Sequence, residues 1–143
     1  MTPAGLTACP SGFGQAETVE RVVAAVTEQG MGILARIDHA AAAAEAGLAL
    51  QPTEVIVFGN PKTGTPLMQT AQTIGIDLPL KILVWQDAAG NNWLGYNDPV
   101  WLARRHGVHA GHDQILGAMT RVLAAIATQA TGQIRSDAEG RAP

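Results

Sequence analysis

Residues 55–81 read VIVFGNPKTGTPLMQTAQTIGIDLPLK, and the other predicted elements are arranged around this segment. The apolar run that ends at Phe58 predicts the central strand of a sheet, from Glu54 to Phe58, because strands inside a sheet are apolar on both faces. A turn rich in Gly and Pro follows. Thr65 and Pro66 then give the N-cap and first-residue signals of a helix, which we expect to run from about Pro66 to Thr73.

The composition indicates one globular domain without nucleic-acid or membrane partners. The chain has 143 residues, and nine basic against twelve acidic residues give a net charge of −3 without a run of one sign. This balance disfavours DNA, RNA and anionic membrane surfaces as partners. No apolar run approaches the roughly 18 residues of a membrane span, and the first residues lack the pattern of a signal peptide. We therefore expect a cytoplasmic protein.

The first third of the chain alternates strand and helix signals. A short edge strand is expected near Leu6 to Cys9, and a helix is expected to follow it and end at Gly30. The apolar residues of this helix recur at helical spacing, at Val19, Val22, Val23 and Val26. Alternating residues predict a strand from Met31 to Ile37, and Asp38 then stands as the N-cap of an alanine-rich helix.

The second half predicts a hairpin and two helices. Residues Leu80 to Gln86 alternate between two faces, and Asn92 to Tyr96 follow across a five-residue loop that contains Gly. This spacing is typical of a β-hairpin. Asp98 before Pro99 predicts a helix that ends at Gly107, and a longer apolar-striped helix is expected to begin near Asp113.

This order of elements predicts an α+β fold. We expect a two-layer sandwich, with a mostly antiparallel sheet of about five strands and helices packed on one face. A doubly wound α/β fold is the alternative. We expect residues 1–132 to form the single domain and residues 133–143 to form a flexible tail.

The turn at residues 59–65 is the best candidate for a binding site. It superficially resembles a phosphate loop, but Lys62 precedes the second glycine, Gly64, instead of following it. Pro61 and Pro66 also remove two N–H donors. A plain structural turn and the edge of a site for a small anionic or polar ligand both remain possible interpretations.

Other chemistry-bearing residues give weaker signals. His106, His109 and His112 lie three residues apart, but the glycines among them indicate a loop, and no nearby ligand set completes a metal site. We therefore predict no metal. Cys9 is the single cysteine, so it cannot form an internal disulfide, and the sequence places no base beside it. The aromatic residues of the hairpin region suit cross-strand packing, a subunit interface or a ligand-stacking wall, and they are Trp85, Trp93, Tyr96 and Trp101.

Linked motifs between Ala35 and Pro99 carry a resemblance to a known family. The motifs are ARIDHA (residues 35–40), FGNPK (58–62), GTPLM (64–68), DLPLK (77–81) and YNDP (96–99). Together, over about residues 16–106, they closely resemble the family of domain of unknown function 302. The matching positions are Asp38, His39, Asn60, Pro61, Lys62, Thr65, Pro66, Asp77, Pro79, Lys81 and Asn97. The resemblance implies a small α+β fold seen as dimers, and it assigns no activity, catalytic residue or cofactor.

Our first functional hypothesis is a dimeric module that binds a small polar or anionic ligand. The ligand would lie between the loop from Asn60 to Thr65 and the segment from Asp77 to Lys81. Lys62 and Lys81 would neutralise its charge, and Asn60 and Thr65 would orient it. The full set of candidate site residues is Asn60, Lys62, Thr63, Thr65, Asp77, Lys81, Asp38 and His39.

Two alternatives belong to different functional classes. The first is an enzyme in which Asp38 and His39 act as an acid–base pair near the Lys62 loop. As neighbours at a helix start, their side chains diverge by about 100°, which weakens this hypothesis. The second is a structural or partner-docking protein that uses the aromatic hairpin.

Overall fold

The computed structural model describes residues 2–108 and 111–133. Its strands are β1 (Leu6–Pro10), β2 (Gly32–Asp38), β3 (Thr53–Gly59), β4 (Leu80–Gln86) and β5 (Asn92–Asn97). Its α-helices are α1 (Gln15–Glu28), α2 (His39–Glu45), α3 (Pro61–Thr70), α4 (Pro99–Arg105) and α5 (Asp113–Thr131). A short 3₁₀ helix (Gln72–Ile76) lies between α3 and β4.

The strands form one sheet in the order β1-β5-β4-β3-β2, and every neighbouring pair is antiparallel. This confirms the predicted α+β fold with a mostly antiparallel sheet. The doubly wound alternative is wrong, because that fold requires parallel neighbours joined by crossover helices. The interior position predicted for β3 is confirmed, since β3 pairs with both β2 and β4, although β4 is the middle strand.

Helices α1 and α5 pack together on one face of the sheet, and the hydrophobic core lies between these two layers. From β3, Ile56 and Phe58 point into this core and are fully buried. The other core residues with no exposed surface are Val22, Ala25, Val26, Ile82, Val84, Leu94, Ile126 and Ala130. Fully burying one large aliphatic or aromatic side chain contributes about 1.5–3 kcal/mol, so this layer supplies most of the stability.

Helices α1 and α5 do not cover the opposite face of the sheet, and the middle of that face is apolar. A row of cross-strand partners runs along it through Ala8, Gly95, Leu83, Val55 and Ile37. Beside this row the rings of Trp85 and Trp93 stack with their centroids 6.4 Å apart. Ile37 is 45% exposed. We call these seven residues the open face. Strand β3 is therefore apolar on both faces from Val55 to Phe58, although only Ile56 and Phe58 on the core side are fully buried.

The start of α3 corrects the sequence-based prediction. The helix begins at Pro61 with Asn60 as its N-cap, and not at Pro66 after Thr65. Both pairs carry the same signal, but Asn60 Oδ1 accepts a hydrogen bond from the backbone N–H of Lys62 at 2.9 Å and so caps the earlier start. Pro66 lies inside the helix, which ends at Thr70 and not at Thr73.

Other predicted elements are confirmed. Asp38 and Asp98 cap α2 and α4 through their carboxylates, which accept from the backbone N–H groups of Ala41 at 2.9 Å and Val100 at 3.0 Å. The hairpin of β4 and β5 has the expected loop, and α5 begins at Asp113. Most of the predicted tail, residues 134–143, lies outside the described residues, so the boundary at residue 132 stays a prediction.

Two glycines in the left-handed region allow a matched test of packing in this fold. Gly5 has φ +80°, and a Cβ added there would overlap the ring of Trp101. Gly30 has φ +78°, and nothing lies within 4 Å of its Cβ position. We expect Gly30→Ala to cost about 1–2 kcal/mol for the backbone alone. We expect Gly5→Ala to cost about 1–3 kcal/mol more, because the Trp101 ring must move.

Urea denaturation of the two variants measures the difference. Equal losses of unfolding free energy in the two variants would contradict this prediction, because they would show that the Trp101 ring moves away from residue 5 at no cost.

Candidate functional site

A cavity of about 240 Å³ lies where the end of β3, the first turns of α3 and the start of β4 meet. Its apolar walls come from Leu34, Met68, Leu78, Leu80 and Met119, together with two prolines. Its polar lining comes from Asn60, Thr63 and Thr65. The structure therefore brings two predicted segments, residues 60–65 and 77–81, to one place, and the cavity between them is mostly apolar.

The N–H donors at the start of α3 are used within the chain. The Asn60 side chain accepts from the Lys62 N–H, and the Asn60 carbonyl accepts from the Thr63 N–H at 3.0 Å and from the Thr63 hydroxyl at 2.9 Å. Lys62 is exposed and does not line the cavity. The start of α3 forms one rim of the cavity. An anion at this rim would be attracted by the charge of Lys62 and by the helix dipole.

A polar cluster forms around Asp77, which directly follows the 3₁₀ helix. Arg105 Nη1 donates to both oxygens of the Asp77 carboxylate, at 3.0 and 2.7 Å. Nε2 of His106 lies 2.5 Å from Asp77 Oδ2. Lys81 Nζ donates to the backbone carbonyl of Asp77 at 3.0 Å. The carboxylate thereby joins the end of α4 to the segment that leads into β4.

The environment shifts two pKa values in this cluster. Burial raises the pKa of Asp77, but the hydrogen bond from His106 and the charge of Arg105 outweigh it, so the pKa lies below its ordinary value of 3.8. Burial lowers the pKa of Lys81 below 10.5, and the Asp77 charge opposes this shift. Asp77 is therefore ionised at neutral pH.

The segment from Asp77 to Lys81 separates the apolar cavity from a second, smaller one. The second cavity has a volume of about 10 Å³, room for about one water molecule, and its polar lining is Asp77, Lys81 and Asn97. Leu80 lines both cavities. We predicted that Asp77 and Lys81 share one site with Asn60. Instead, Asn60 lines the apolar cavity, and Asp77 and Lys81 line the smaller cavity on the other side of Leu80.

Asp38 and His39 lie at the other end of the sheet from the cavity. Asp38 is the cross-strand partner of Glu54, whereas Asn60 follows Gly59 at the opposite end of β3. Glu54 and Gly59 are five positions apart along the strand, which corresponds to about 17 Å. Asp38 is occupied as the cap of α2, and His39 is exposed. The structure does not bring this pair to the Lys62 loop.

Sequence reasoning missed His106 as a partner of Asp77. Twenty-nine residues separate the two, so no local spacing reveals the contact. One indication of a role for His106 was available in the sequence, which is that this residue lies at the predicted end of α4. His112 contacts Thr70 instead, at 2.7 Å, and His109 lies outside the described residues. Across residues 2–108 and 111–133, no group of three His, Cys, Asp or Glu side chains is arranged to hold a metal ion.

The family model described as "Domain of unknown function DUF302" matches residues 8–126. This chain belongs to the DUF302 family. An uncharacterized conserved DUF302 protein from Bacillus stearothermophilus has a solved structure that matches with a TM-score of 0.78 and 22% identity. The match covers 90% of this chain and 99% of the Bacillus chain. At this identity the likeness shows a shared fold alone.

Curated relatives of this DUF302 chain are longer proteins. The fluoride-specific ion channel FluC 1 of Brucella suis is 47% identical over 128 residues, which are 90% of this chain and 50% of the relative. FluC 2 of Brucella melitensis is 47% identical over 128 residues, which are 47% of its length. This DUF302 chain therefore spans about half the length of the curated relatives that it matches. In the part of the chain that the structure describes, no helix has both the length and the apolarity to cross a membrane.

The Asp77 cluster of this DUF302 domain predicts a pH-dependent contribution to stability. We expect Asp77→Asn to lower the unfolding free energy at pH 7 by about 1–2 kcal/mol, because Arg105 and His106 lose a charged acceptor. The folded-state pKa of Asp77 lies below 3.8, so the wild type keeps this contribution above that pH and loses it as the pH falls further. The difference between the two proteins should therefore narrow in acid.

Urea denaturation at pH 7 and pH 3 measures this difference. Asp38→Asn is the matched control, because Asn caps a helix as well as Asp does and should change stability little at either pH. If wild type and Asp77→Asn differed by the same unfolding free energy at pH 7 and pH 3, this result would contradict the lowered pKa of Asp77.

Proposed function

We propose that this DUF302 domain is a binding module for a small molecule with an apolar body and one anionic group. The observation that carries this proposal is the cavity of about 240 Å³ beside the start of α3. Small-molecule sites are concave and mostly apolar, and a few polar groups at one side fix the orientation of the ligand. Leu78 and Met119 would contact the body, and Thr65 would contact the polar end.

The anionic group is assigned to the rim at the start of α3. Lys62 is exposed there, and a helix N-terminus carries a partial positive charge of about one half. Lys81 and Asp77 lie beyond Leu80, so we assign them to the support of this wall and not to ligand contact. This revises the ligand from a small polar anion to an amphipathic one, since the lining is mostly apolar.

We also propose a homodimer in which two copies pair through the open face. Leu83, Val55 and Ile37 lie in one apolar row across it, beside the stacked rings of Trp85 and Trp93. Pairing two copies would remove this surface from water. A standard interface buries about 800 Å² on each partner. The cytoplasmic location stays a prediction.

We place the channel activity in the name of the Brucella relatives outside this domain. This chain, which matches half of the Brucella suis relative, has an α+β fold that aligns with 99% of the solved Bacillus chain. In this proposal the matched half contributes ligand binding, and the remaining half carries the named function.

A cavity-filling variant tests the ligand site. The probe is 1-anilinonaphthalene-8-sulfonate, which has an apolar body and a sulfonate. A side chain at Gly64 would point between Leu78 and Met68, whose nearest atoms lie 3.6 and 3.8 Å from its Cβ position. We expect Gly64→Leu to abolish the fluorescence of the bound probe, because its side chain fills the cavity.

Two further variants sharpen this test. Gln69→Leu, at an exposed position of the same helix, should bind the probe like the wild type. Lys62→Ala should weaken binding about threefold, as expected for the loss of one exposed charge. Equal probe binding by wild type and Gly64→Leu would contradict the cavity as the binding site. Unchanged binding by Lys62→Ala would contradict the assignment of the ligand's anionic group to the start of α3.

A charge on the open face tests the homodimer. Leu83→Glu places a carboxylate in the middle of the apolar row, and we expect the purified variant to be a monomer where the wild type is a dimer. Ala24→Glu, at an exposed position of α1, is the control and should stay dimeric. Light scattering coupled to size-exclusion chromatography gives both masses, and a monomeric wild type would contradict the proposal.

A further inference from the structure

Three side chains form a hydrogen-bonded series between the 3₁₀ helix and the end of α4. Asp77 Oδ2 lies 2.5 Å from His106 Nε2, and His106 Nδ1 lies 2.9 Å from the hydroxyl of Thr73. We propose that this series is an acyl-transfer site that hydrolyses activated esters. Thr73 is the nucleophile, His106 is the general base, and Asp77 is the positioning residue.

The proton positions follow from the partners of the imidazole. The Asp77 carboxylate only accepts hydrogen bonds, so Nε2 of a neutral His106 carries the proton and donates it to Asp77. Nδ1 is then the bare nitrogen, and the Thr73 hydroxyl donates to it. A hydroxyl that donates to an imidazole held by a carboxylate is the arrangement that activates hydroxyl nucleophiles in hydrolases.

The nucleophile faces solvent, whereas the base and the carboxylate are largely buried. Thr73 is exposed, whereas the side chains of His106 and Asp77 are only 8% and 15% exposed. A substrate can therefore reach Thr73 from solvent while the base stays fixed. A 3₁₀ helix has three residues per turn, so Ile76 lies on the same side as Thr73. Ile76 is 77% exposed and offers an apolar contact for a short acyl group.

The reaction has two balanced steps. In the first, Thr73 Oγ1 bonds to the ester carbonyl carbon, the bond to the aryl oxygen breaks, and the hydroxyl proton moves to His106 Nδ1 and then to the leaving aryloxide. In the second, water attacks the acyl-Thr73 ester and gives a proton to Nδ1. That proton returns to Thr73 Oγ1 as the carboxylic acid leaves.

A second threonine–histidine pair provides an internal control. Thr70 lies 2.7 Å from Nε2 of His112, and Thr70 is also exposed. Among the described residues, however, no carboxylate lies within ion-pair distance of His112. The proposal therefore predicts reaction at Thr73 and none at Thr70.

The experiment uses p-nitrophenyl acetate as substrate and a fluorophosphonate as covalent probe, with the full chain. We expect the fluorophosphonate adduct on Thr73 by peptide mass spectrometry. Thr73→Val should abolish ester hydrolysis and labelling, Thr73→Ser should retain both, and Thr70→Val should match the wild type. Asp77→Asn should lower kcat about a hundredfold or more with little change in KM, because the imidazole loses its fixed tautomer.

The outcomes separate this site from the cavity and from a structural role. None of Thr73, His106 and Asp77 lines the cavity, so failure of the binding proposal does not affect this one. Gln69→Leu, at an exposed position of α3, should leave ester hydrolysis unchanged. Absence of an adduct, an adduct at Thr70, or equal hydrolysis by Thr73→Val and wild type would overturn the assignment. Circular dichroism confirms that Thr73→Val and Thr73→Ser are folded, which keeps the comparison valid if Asp77→Asn is not.

Discussion

Helices α1 and α5 cover one face of an antiparallel sheet, and the other face keeps its apolar side chains without cover from this layer. On the covered face the core is closed by fully buried residues such as Phe58 and Ile82. On the open face, Gly95 leaves room for the ring of Trp85, since a Cβ on Gly95 would lie 3.0 Å from it. An exposed apolar face of this kind marks a site where another surface binds and removes it from water. This is the physical basis for the proposed dimer.

The functional features collect where β3 ends and β4 begins, because the connection between these strands is long enough to hold α3 and a 3₁₀ helix. Leu80 forms a common wall, with the apolar cavity on one side and the Asp77 cluster on the other. The carboxylate of Asp77 fixes this connection to α4 through Arg105 and His106. One charged residue thus supports the cavity wall and orients the imidazole that faces Thr73.

Local signals in the sequence predicted most of the fold and only part of the site. The caps at Asp38 and Asp98 and the hairpin depend on neighbouring residues, so the sequence reveals them directly. Asn60–Pro61 and Thr65–Pro66 carry the same signal, and only the hydrogen bond that Asn60 accepts from the Lys62 N–H decides between them. The contact of Asp77 with His106 joins distant segments and has no local pattern. The separation of Asp38 from the cavity depends on strand length and direction, which only the folded sheet fixes.

The cavity beside α3 is the proposed site of an amphipathic organic anion. Native mass spectrometry of the protein purified from its own cells, followed by denaturation to release bound molecules, tests it most directly. We expect a stoichiometric small molecule with an apolar body and one carboxylate, sulfonate or phosphate group. A protein that carries no small molecule, or one that carries only a small polar ion, would contradict it.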